Sequence, residues 1–369
     1  MQDKPKRLLS IDTLRGLDML IIMGLSTLIV RICELFPGGS EFWIAQQMHH
    51  ASWNGLTIMD MVFPVFLFVA GLSFPFSYAS QVGRGLTSRQ IHRKIFVRCL
   101  VLVVLGIVYN GFFDLSFPQR YASVLGRIGL AWMFAALLYI HCKPKVRIGI
   151  AAGLLVVYGL LIALVKAPDA PAGFGPLTLE GCLNGYVDRL LLPGRLHYGS
   201  CDPEGLLGVV PATVTAMLGM FTGEFVRLPE EKMCGSRKTL WMFGAAAALL
   251  AVGLLLSPVL PLNKKLWTSS YVLVVGAISL AVYALIYYLV EVKGWQRWTF
   301  PFRVIGLNSI TIYLWQRIVP MKEVTNFFFG GAAGLLPEAW GAVLLAAGYV
   351  VLCWLLLYFL WRKKIFLKV

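Results

Sequence analysis

The sequence predicts an all-α membrane protein, a polytopic helical bundle with about ten transmembrane helices. Two observations lead to this prediction. Of the 369 residues, 58% are hydrophobic and 14% are charged, which is more apolar than a soluble core of this size requires. The apolar residues also fall in repeated blocks of about 20, the length at which a helix crosses a hydrocarbon layer roughly 30 Å thick.

Ten apolar blocks define the predicted spans, which form a single domain over residues 1–369. In chain order they are Gly16 to Leu35, Asn54 to Ser80, Ile95 to Phe113, Ala122 to Cys142, Ile148 to Lys166, Glu204 to Val226, Leu240 to Pro258, Leu266 to Val290, Phe300 to Ile318 and Glu338 to Trp361. No cleavable signal peptide is expected, because the basic segment Met1 to Arg7 leads into an apolar block that continues for a full span.

The distribution of basic residues predicts the orientation. Lys and Arg cluster at alternate ends of the apolar blocks, which is typical of cytoplasmic loops and places both termini in the cytoplasm. The same distribution argues against nucleic acid as a partner, although the formal net charge is +15. We therefore expect a multi-pass protein of the inner (cytoplasmic) membrane, with the lipid bilayer as its environment. The cysteines form no CxxC pair or Cys/His metal pattern, so no metal is expected.

A long loop, residues 167–203, is predicted on the outer side. It is too long for a simple connector and is a candidate site-lining insertion. Within it, the run from Tyr186 to Pro193 predicts a short amphipathic helix lying on the membrane. Cys182 and Cys201 share this loop, and either a disulfide or two free thiols is consistent with the sequence.

The stretch from His49 to Thr57 is the most informative part of the chain, because it places imidazoles and hydrogen-bonding side chains directly before an apolar span. A histidine in this position is either an ordinary interfacial residue or a catalytic group. Asp60 and Arg127 lie at similar predicted depths, about 9 Å inside their spans. Charges at this depth need a partner, so we predict that they pair, either as a structural salt bridge or to orient the site near His50.

Further polar residues are predicted at the same outer face, where their charges suit a polar, amine-bearing ligand. Helix capping and interfacial anchoring are the alternative explanations for several of them. These candidate ligand-binding residues are Asp202, Glu204, Asn263, Lys264 and Trp267, with Asn308 in the ninth span. On the inner side, Arg15 and Arg98 can receive phosphates arriving from the cytoplasm, and Asp18 and Arg98 are expected to reach water.

Several blocks together resemble a known family, the transmembrane acyltransferases typified by lysosomal heparan-α-glucosaminide N-acetyltransferase. They occur in the family's order and cover most of the chain. The blocks are Ser10-Ile-Asp12-Thr-Leu-Arg15-Gly16, His50-Ala-Ser-Trp53-Asn54-Gly55-Leu-Thr57 with Asp60 and Val62-Phe63-Pro64, Arg120 with Val124-Leu125 and Arg127-Ile-Gly129, Asp202-Pro-Glu204-Gly205, Asn263-Lys264 with Leu266-Trp267 and Ser270-Tyr271, and Asn308-Ser309.

This resemblance implies that acetyl is transferred from cytoplasmic acetyl-CoA to the amino group of a glucosamine-type sugar or glycan end across the membrane. It also implies that the family's essential histidine falls at His50 and that the protein is a homodimer. The sequence departs from the family at two positions, where Ser26 replaces an asparagine and Gln316 replaces a histidine. The resemblance is that of a shorter, prokaryotic-type relative, which is expected to lack the long N-terminal domain of the lysosomal enzyme.

The expected mechanism uses His50 as a general base or as an acetyl carrier, since an imidazole titrates near neutrality. Asn54 or the indole N–H of Trp53 is a candidate donor to the oxyanion, with capping as the alternative for Asn54. Trp53 and Arg127 are grouped with the substrate-binding residues, and Arg120 is grouped with the inner bases as coenzyme-binding. The competing hypotheses are a secondary transporter or channel for amino sugars, in which Asp60, Arg127 and Glu204 form a proton or substrate path, and a scaffold for polysaccharide assembly.

Overall fold

The computed structural model describes residues 8–112 and 118–367. Within these ranges the chain is built from helices and contains no β-strand, so the predicted all-α class is confirmed. The helices are α1 (Leu9–Leu20), α2 (Ser26–Cys33), α3 (Trp43–Gln47), α4 (Ile58–Gly83), α5 (Ser88–Ile107), α6 (Val124–His141), α7 (Pro144–Leu164), α8 (Leu183–Leu191), α9 (Val209–Val226), α10 (Gly235–Leu256), α11 (Ser269–Tyr287), α12 (Phe300–Leu307), α13 (Ser309–Ile318), α14 (Met321–Gly334) and α15 (Glu338–Arg362). Wider π-helical turns follow α1, α5 and α11, and the first of them joins α1 to α2.

Eight helices in the described ranges are long and apolar enough to cross a membrane. They are Leu9–Cys33, Ile58–Gly83, Val124–His141, Pro144–Leu164, Val209–Val226, Gly235–Leu256, Ser269–Val292 and Glu338–Arg362. Each overlaps one of the ten predicted spans, which confirms the polytopic bundle.

The two other predicted spans take a different form. The third corresponds to α5, which carries Arg89, Arg93 and Lys94 in its first half and Arg98 just beyond and is therefore less apolar than a spanning helix. Its predicted last residue, Phe113, lies outside the described residues, as do Met1 to Arg7 and Lys368 of the termini. The ninth span is divided at Asn308 into α12 and α13. The number of membrane crossings and the sidedness of the termini therefore remain predictions.

Side-chain caps set the starts of several helices. The hydroxyl of Thr57 accepts the amide N–H of Asp60, so α4 begins at Ile58 rather than at the predicted Asn54. Ser123 and Thr268 cap α6 and α11 in the same way. A side-chain oxygen at this position satisfies one of the amide groups that the first helical turn leaves unpaired. The consequence for the site is that Asp60 lies in the first turn of α4.

The helices α4, α9 and α11 form the centre of the bundle, whereas α7, α10 and α15 lie at its periphery and are mostly exposed. Contact between α4 and α9 is very close: a Cβ atom on Gly71 would lie 2.1 Å from the carbonyl oxygen of Ala216. A Cβ on Gly219 would similarly lie 2.0 Å from the carbonyl oxygen of Phe68. Small residues allow such close helix packing within membranes, where the hydrophobic effect does not drive helices together.

The connections define two ends of the bundle. The segment before α4, the loop before α9 and the loop before α11 meet at one end, which we call the His50 end. The connections α4–α5 and α6–α7, together with the C-terminal end of α15, lie at the opposite, far end. The predicted amphipathic helix within residues 167–203 is present as α8, at the His50 end.

Candidate active site

His50 and Asp60 form a hydrogen-bonded pair at the start of α4. The imidazole Nδ1 of His50 lies 2.8 Å from Oδ1 of Asp60. Asp60 is 2% exposed, whereas the side chain of His50 is 53% exposed. The pair therefore joins a buried carboxylate to an imidazole that remains accessible.

Three further contacts fix Asp60, two at its carboxylate and one at its backbone. Its Oδ2 accepts the amide N–H of Ala51 at 3.0 Å and the hydroxyl of Thr57 at 2.9 Å. On its backbone, the carbonyl of Asp60 accepts the hydroxyl of Tyr271 at 2.7 Å. Because both carboxylate oxygens have donors, Asp60 is held in one orientation and can be buried as an anion.

Lys264 approaches the same pair from the loop before α11. Its ammonium Nζ lies 3.5 Å from Oδ1 of Asp60 and 3.3 Å from Nδ1 of His50. Burial lowers the pKa of Lys264, although attraction to Asp60 opposes this effect. The ionised Asp60 favours the His50 tautomer that carries its proton on Nδ1, since Nδ1–H can then donate to the carboxylate at 2.8 Å, whereas the more distant Lys264 ammonium is itself a donor to Nδ1 and acts in the opposite direction. That tautomer leaves Nε2 of His50 as a proton acceptor.

The imidazole lines a largely apolar cavity of about 210 Å³. Its walls come from α1, α4, α6 and α13, and its basic groups among the described lining residues are His50 and Lys264. Met19, Phe66 and Ile128 are among its apolar side chains, and Tyr313 adds an aromatic ring with a hydroxyl. A proton acceptor at the end of an apolar cavity is an arrangement suited to acid–base chemistry on a bound molecule.

Lys265 holds the His50 segment in place. Its ammonium donates to the carbonyl of Ala51 at 3.1 Å and also to that of Ser52. The same Nζ lies 5.5 Å from the ring centroid of Trp53 and 5.4 Å from that of Tyr198. These cation–π contacts and backbone hydrogen bonds connect three loops around His50.

Asn263 and Trp267, both predicted to bind ligand, support this loop and do not face open space. Asn263 is buried and its amide donates to Oδ1 of Asn54 at 3.0 Å. Trp267 is also buried, has a positive φ of 55°, and packs edge-on against Phe63 with ring centroids 4.8 Å apart. Both residues fix the loop that carries Lys264.

Trp53 and Asn54 differ in whether their side-chain N–H groups are free to donate a hydrogen bond to a bound molecule. The indole N–H of Trp53 donates to the carbonyl of Leu177 at 2.8 Å, so it is already used and the predicted oxyanion role is not supported. Asn54 is exposed, and Thr57 rather than Asn54 caps α4. Both residues line an open cleft of about 600 Å³ between the His50 segment and residues 174–180.

Arg120 pairs with Asp202 and Glu204 at the His50 end. Its Nε and one terminal nitrogen bind the two oxygens of Asp202 at 2.8 and 2.6 Å, and that terminal nitrogen also binds Glu204. The ion pairs raise the pKa of Arg120 despite its burial. For Asp202, burial acts in the opposite direction, but the bond to Arg120 holds its pKa below the usual range.

Arg120 was grouped with the coenzyme-binding residues, but two carboxylates neutralise it here and these contacts give that grouping no support. Asp202 is likewise buried and fully engaged, because its oxygens also accept the amide N–H groups of His197 and Glu204. These residues stabilise the loop before α9 and leave no free carboxylate on Asp202 for a ligand amine.

Asp188, in α8, belongs to the same loop network, although the sequence analysis did not identify it as a candidate site residue. It is fully buried and accepts the amide N–H groups of Leu206 at 2.9 Å and Asp202 at 3.3 Å. Burial raises its pKa to about 6. A Cβ atom on Gly205 would lie 1.9 Å from an Asp188 oxygen, so this turn requires glycine. The glycine in the Asp-Pro-Glu-Gly block was the sequence feature that could have indicated this close contact.

The predicted pairing of Asp60 with Arg127 is wrong. Arg127 is buried, donates to the carbonyl of Gly205 at 2.8 Å, and lies 5.2 Å from the ring centroid of Trp267. Asp60 instead binds His50, Thr57 and the amide of Ala51. The prediction failed because α4 begins at Ile58, so Asp60 is beside the loop that precedes the helix.

A second cavity, of about 890 Å³, lies toward the far end between α4, α5 and α6. Arg93, Lys94 and Arg98 line it, and no acidic side chain is found among its described lining residues. Arg98 stacks over Trp132, with its guanidinium carbon 4.2 Å from the ring centroid. Arg15, which also lies 3.7 Å from Asp12, is near enough for its charge to act on Arg98. The cavity is therefore strongly basic.

The two cavities lie in line along the same helices but have separate sets of described lining residues. On α6, Ile128 lines the His50 cavity and Trp132 lines the basic cavity. These residues are four positions apart, which corresponds to one helical turn or about 6 Å. On α6, the linings of the two cavities are therefore separated by one helical turn.

Other predicted residues lie elsewhere. The amide of Asn308 donates to the carbonyl of Ile365 at 3.1 Å, which ties the α12–α13 break to the chain after α15. Asp18 is buried, contrary to the expectation that it reaches water. Ser26 and Gln316 are absent from the described lining of the His50 cavity. Cys182 and Cys201 are free thiols, both buried in one small hydrophobic cluster.

The fold and site together define a polytopic helical membrane protein with a buried carboxylate that orients a cavity-lining imidazole. No family model matches the chain. Human heparan-α-glucosaminide N-acetyltransferase is 29% identical over 422 aligned positions, which cover 99% of this chain and 60% of the human protein. The mouse protein of the same name is 28% identical over 420 positions, covering 98% and 60% of the two chains.

The chain is therefore a distant homologue of these N-acetyltransferases. It spans about 60% of the length of the curated relatives. The resemblance detected from the sequence blocks is confirmed at this level.

Proposed function

We propose that the protein is a membrane acetyltransferase that moves acetyl from acetyl-CoA to the amino group of a glucosamine-type sugar. The donor would arrive from the cytoplasm at the far end, and the acceptor from the His50 end. The single observation that carries this proposal is the His50–Asp60 pair at 2.8 Å, lining a cavity in a chain homologous to N-acetyltransferases over nearly its whole length.

His50 acts in this proposal as the general base. Its Nε2 removes a proton from the sugar amine while the nitrogen attacks the thioester carbonyl. A C–N bond forms and the C–S bond breaks, and the departing thiolate receives the proton held by His50. Asp60 keeps Nδ1–H in place and stabilises the imidazolium that forms during the step, as a carboxylate does in other His-dependent acyl transfers. Asn54, with an exposed amide, is the candidate donor to the oxyanion.

The acceptor sugar would enter from the open cleft beside His50. This cleft presents Trp53, an aromatic ring of the kind that stacks on apolar faces of sugars, together with the exposed amide of Asn54. Lys264 lines the His50 cavity itself. Its positive charge beside His50 disfavours a second cation there, which favours a neutral acceptor amine.

The basic cavity is the proposed site for the phosphates of the coenzyme. Three cationic side chains without an acidic neighbour in the described lining match an anion of high charge. The apolar part of the lining of this cavity includes Trp132, which lies under Arg98. It suits the adenine and the start of the pantetheine arm. This arm would extend past the Ile128–Trp132 turn toward His50.

Transfer can pass directly to the amine or rest first as an acetyl group on His50. The two routes use the same Nε2 atom. Incubating the purified protein with labelled acetyl-CoA alone separates them, because covalent label on the protein that is lost in His50→Ala indicates the relay. Absence of protein-bound label indicates direct transfer.

The test of the proposed function is an acetyl-CoA consumption assay against a panel of amino sugars, with identification of the N-acetylated product. We expect activity in the wild type, loss of at least roughly 10² in rate for His50→Ala, and retention in His49→Ala, a neighbouring exposed histidine outside the described cavity lining. An amino-sugar transport activity without acetylation would support the transporter hypothesis instead.

A further inference from the structure

A third cavity, of about 410 Å³, lies at the His50 end between α2, α13, α14 and α15. We call it the side cavity. Its polar lining residues are Thr27, Arg31, Gln316, Lys322, Thr325 and Asn326. Residues from three helices thus place two cations and two side-chain amides around one cavity.

The side cavity is adjacent to the His50 cavity. Ile22 lines both, on the π-helical turn between α1 and α2. On α13, Tyr313 lines the His50 cavity and Gln316 lines the side cavity, and residues three positions apart are neighbours on a helix surface. The two spaces are therefore separated by little more than these side chains.

The backbone at Gly24 shapes the side cavity. Gly24 lines it and has a positive φ of 131°, a conformation that side chains rarely adopt. A Cβ atom there would lie 3.0 Å from the ring of Tyr349 and 3.1 Å from Val350. Tyr349 in turn accepts a hydrogen bond from Gln316 at 2.9 Å, which orients this amide at the cavity wall.

The charge of the side cavity is positive. Arg31 binds Glu34 through one terminal nitrogen at 2.8 Å, which leaves its other guanidinium N–H groups as donors. Lys322 has no hydrogen-bond or ion-pair partner among residues 8–112 and 118–367. Of the described residues that line the cavity, none is acidic. One unpaired cation, a guanidinium with N–H groups beyond its ion pair, and amide donors around a cavity form a site for an oxyanion.

We propose that the side cavity is an anion-binding site that takes a phosphate group. Arg31 and Lys322 bind the phosphate oxygens, and the Asn326 amide adds a hydrogen bond. The phosphate belongs either to a phospholipid headgroup of the adjoining leaflet or to a phosphorylated amino sugar. This site lies outside the acetyl-transfer machinery, so it does not depend on the proposed function.

The test measures thermal unfolding rather than activity, so that failure of acetyl transfer does not affect it. In one arm, the protein is reconstituted in bilayer discs of phosphatidylcholine, with or without phosphatidylglycerol. In the other arm, detergent-purified protein receives glucosamine 6-phosphate, with glucosamine as the control that lacks the phosphate. Each arm compares the wild type with Arg31→Gln, Lys322→Gln and the charge-conserving Lys322→Arg. Lys166→Gln is the matched control, because Lys166 is exposed at the same end but is not among the described lining residues.

We expect stabilisation by one of the two phosphate sources. Loss of a charged hydrogen bond in Lys322→Gln should weaken the apparent affinity about tenfold or more, whereas Lys322→Arg and Lys166→Gln should retain it. A variant-sensitive shift with phosphatidylglycerol identifies the lipid headgroup as the source. A variant-sensitive shift with glucosamine 6-phosphate identifies the sugar phosphate. If neither probe stabilises the wild type, or if Lys322→Gln and Arg31→Gln respond as Lys166→Gln does, the proposal is wrong.

Discussion

The Nδ1 atom of His50 lies 2.8 Å from Oδ1 of Asp60, although His50 is in the loop before α4 and Asp60 is in its first turn. The loop folds back over the helix start because Asp60 accepts hydrogen bonds from both Ala51 and Thr57. This contact links the local structure of a helix N-terminus to the protonation state of the proposed catalytic imidazole.

Replacing Asp60 by asparagine tests that link. The amide cannot stabilise an imidazolium as the carboxylate does, and it favours the other His50 tautomer. We expect Asp60→Asn to fold, with the rate of acetylation reduced roughly 10²- to 10⁴-fold. The measurement is steady-state kcat beside the elution profile and thermal midpoint. An inactive but stable variant supports orientation of His50, whereas unchanged kcat in a stable variant contradicts it.

Lys265 should act as a positioning residue for the His50 segment. Lys265→Met removes its hydrogen bonds to two carbonyls and its contacts with Trp53 and Tyr198. A shift of the segment of about 1 Å can reduce the rate roughly 10²-fold. We expect kcat to fall by tenfold or more, with partial recovery in Lys265→Arg. Equal effects of methionine and arginine on kcat would argue against a charge-dependent role.

Coenzyme binding should depend on the basic cavity at the far end. Lys94→Gln removes an exposed lining charge, and Lys145→Gln removes an exposed charge at the same end outside the described lining. We expect CoA to raise the thermal midpoint of the wild type and of Lys145→Gln, with affinity for Lys94→Gln weaker by about threefold to tenfold. The wild-type effect should decrease with ionic strength. Stabilisation by CoA that is identical in all three proteins would place the phosphates elsewhere.

The pH dependence of stability should reveal the buried carboxyl of Asp188. Its pKa in the folded protein is raised to about 6, above about 3.9 in an unfolded chain. The folded state therefore binds more protons between about pH 4 and 6, so the free energy of unfolding should fall as pH rises through this window.

The measurement compares wild type with Asp188→Asn across this range. Because other groups titrate equally in both proteins, the difference isolates Asp188. The stability of the wild type relative to the variant should fall by on the order of 2–3 kcal/mol between pH 4 and 6.5. A difference that is independent of pH would show that the carboxyl ionises normally.

The helices of the bundle could be predicted from the sequence, because apolar blocks of spanning length have few alternative structures in a membrane. The divided ninth span was not foreseen. Its break at Asn308 is stabilised by the carbonyl of Ile365, a contact 57 residues away in the chain. Such a long-range hydrogen bond leaves no periodic signal near the break.

The candidate site was only partly predictable. His50, Asp60 and Lys264 were named, and the structure brings them together. The pairing of Asp60 with Arg127, however, was predicted from their depths along idealised spans and is wrong. The depth of Asp60 depends on where α4 begins, and the capping residue Thr57 places that start at Ile58. Asp188 lies within the predicted amphipathic helix but was not singled out, and the structure buries it against the loop before α9. Loop geometry of this kind depends on tertiary contacts that the local sequence does not encode.

Transfer across the bilayer is the central claim, and vesicle reconstitution tests it most directly. Proteoliposomes of known orientation would contain glucosamine on the His50 side and labelled acetyl-CoA on the opposite side. We predict that labelled N-acetylglucosamine accumulates with the sugar for the wild type and for His49→Ala, and not for His50→Ala. Product that forms only when both substrates share one side, or equal product from His50→Ala, would contradict the account.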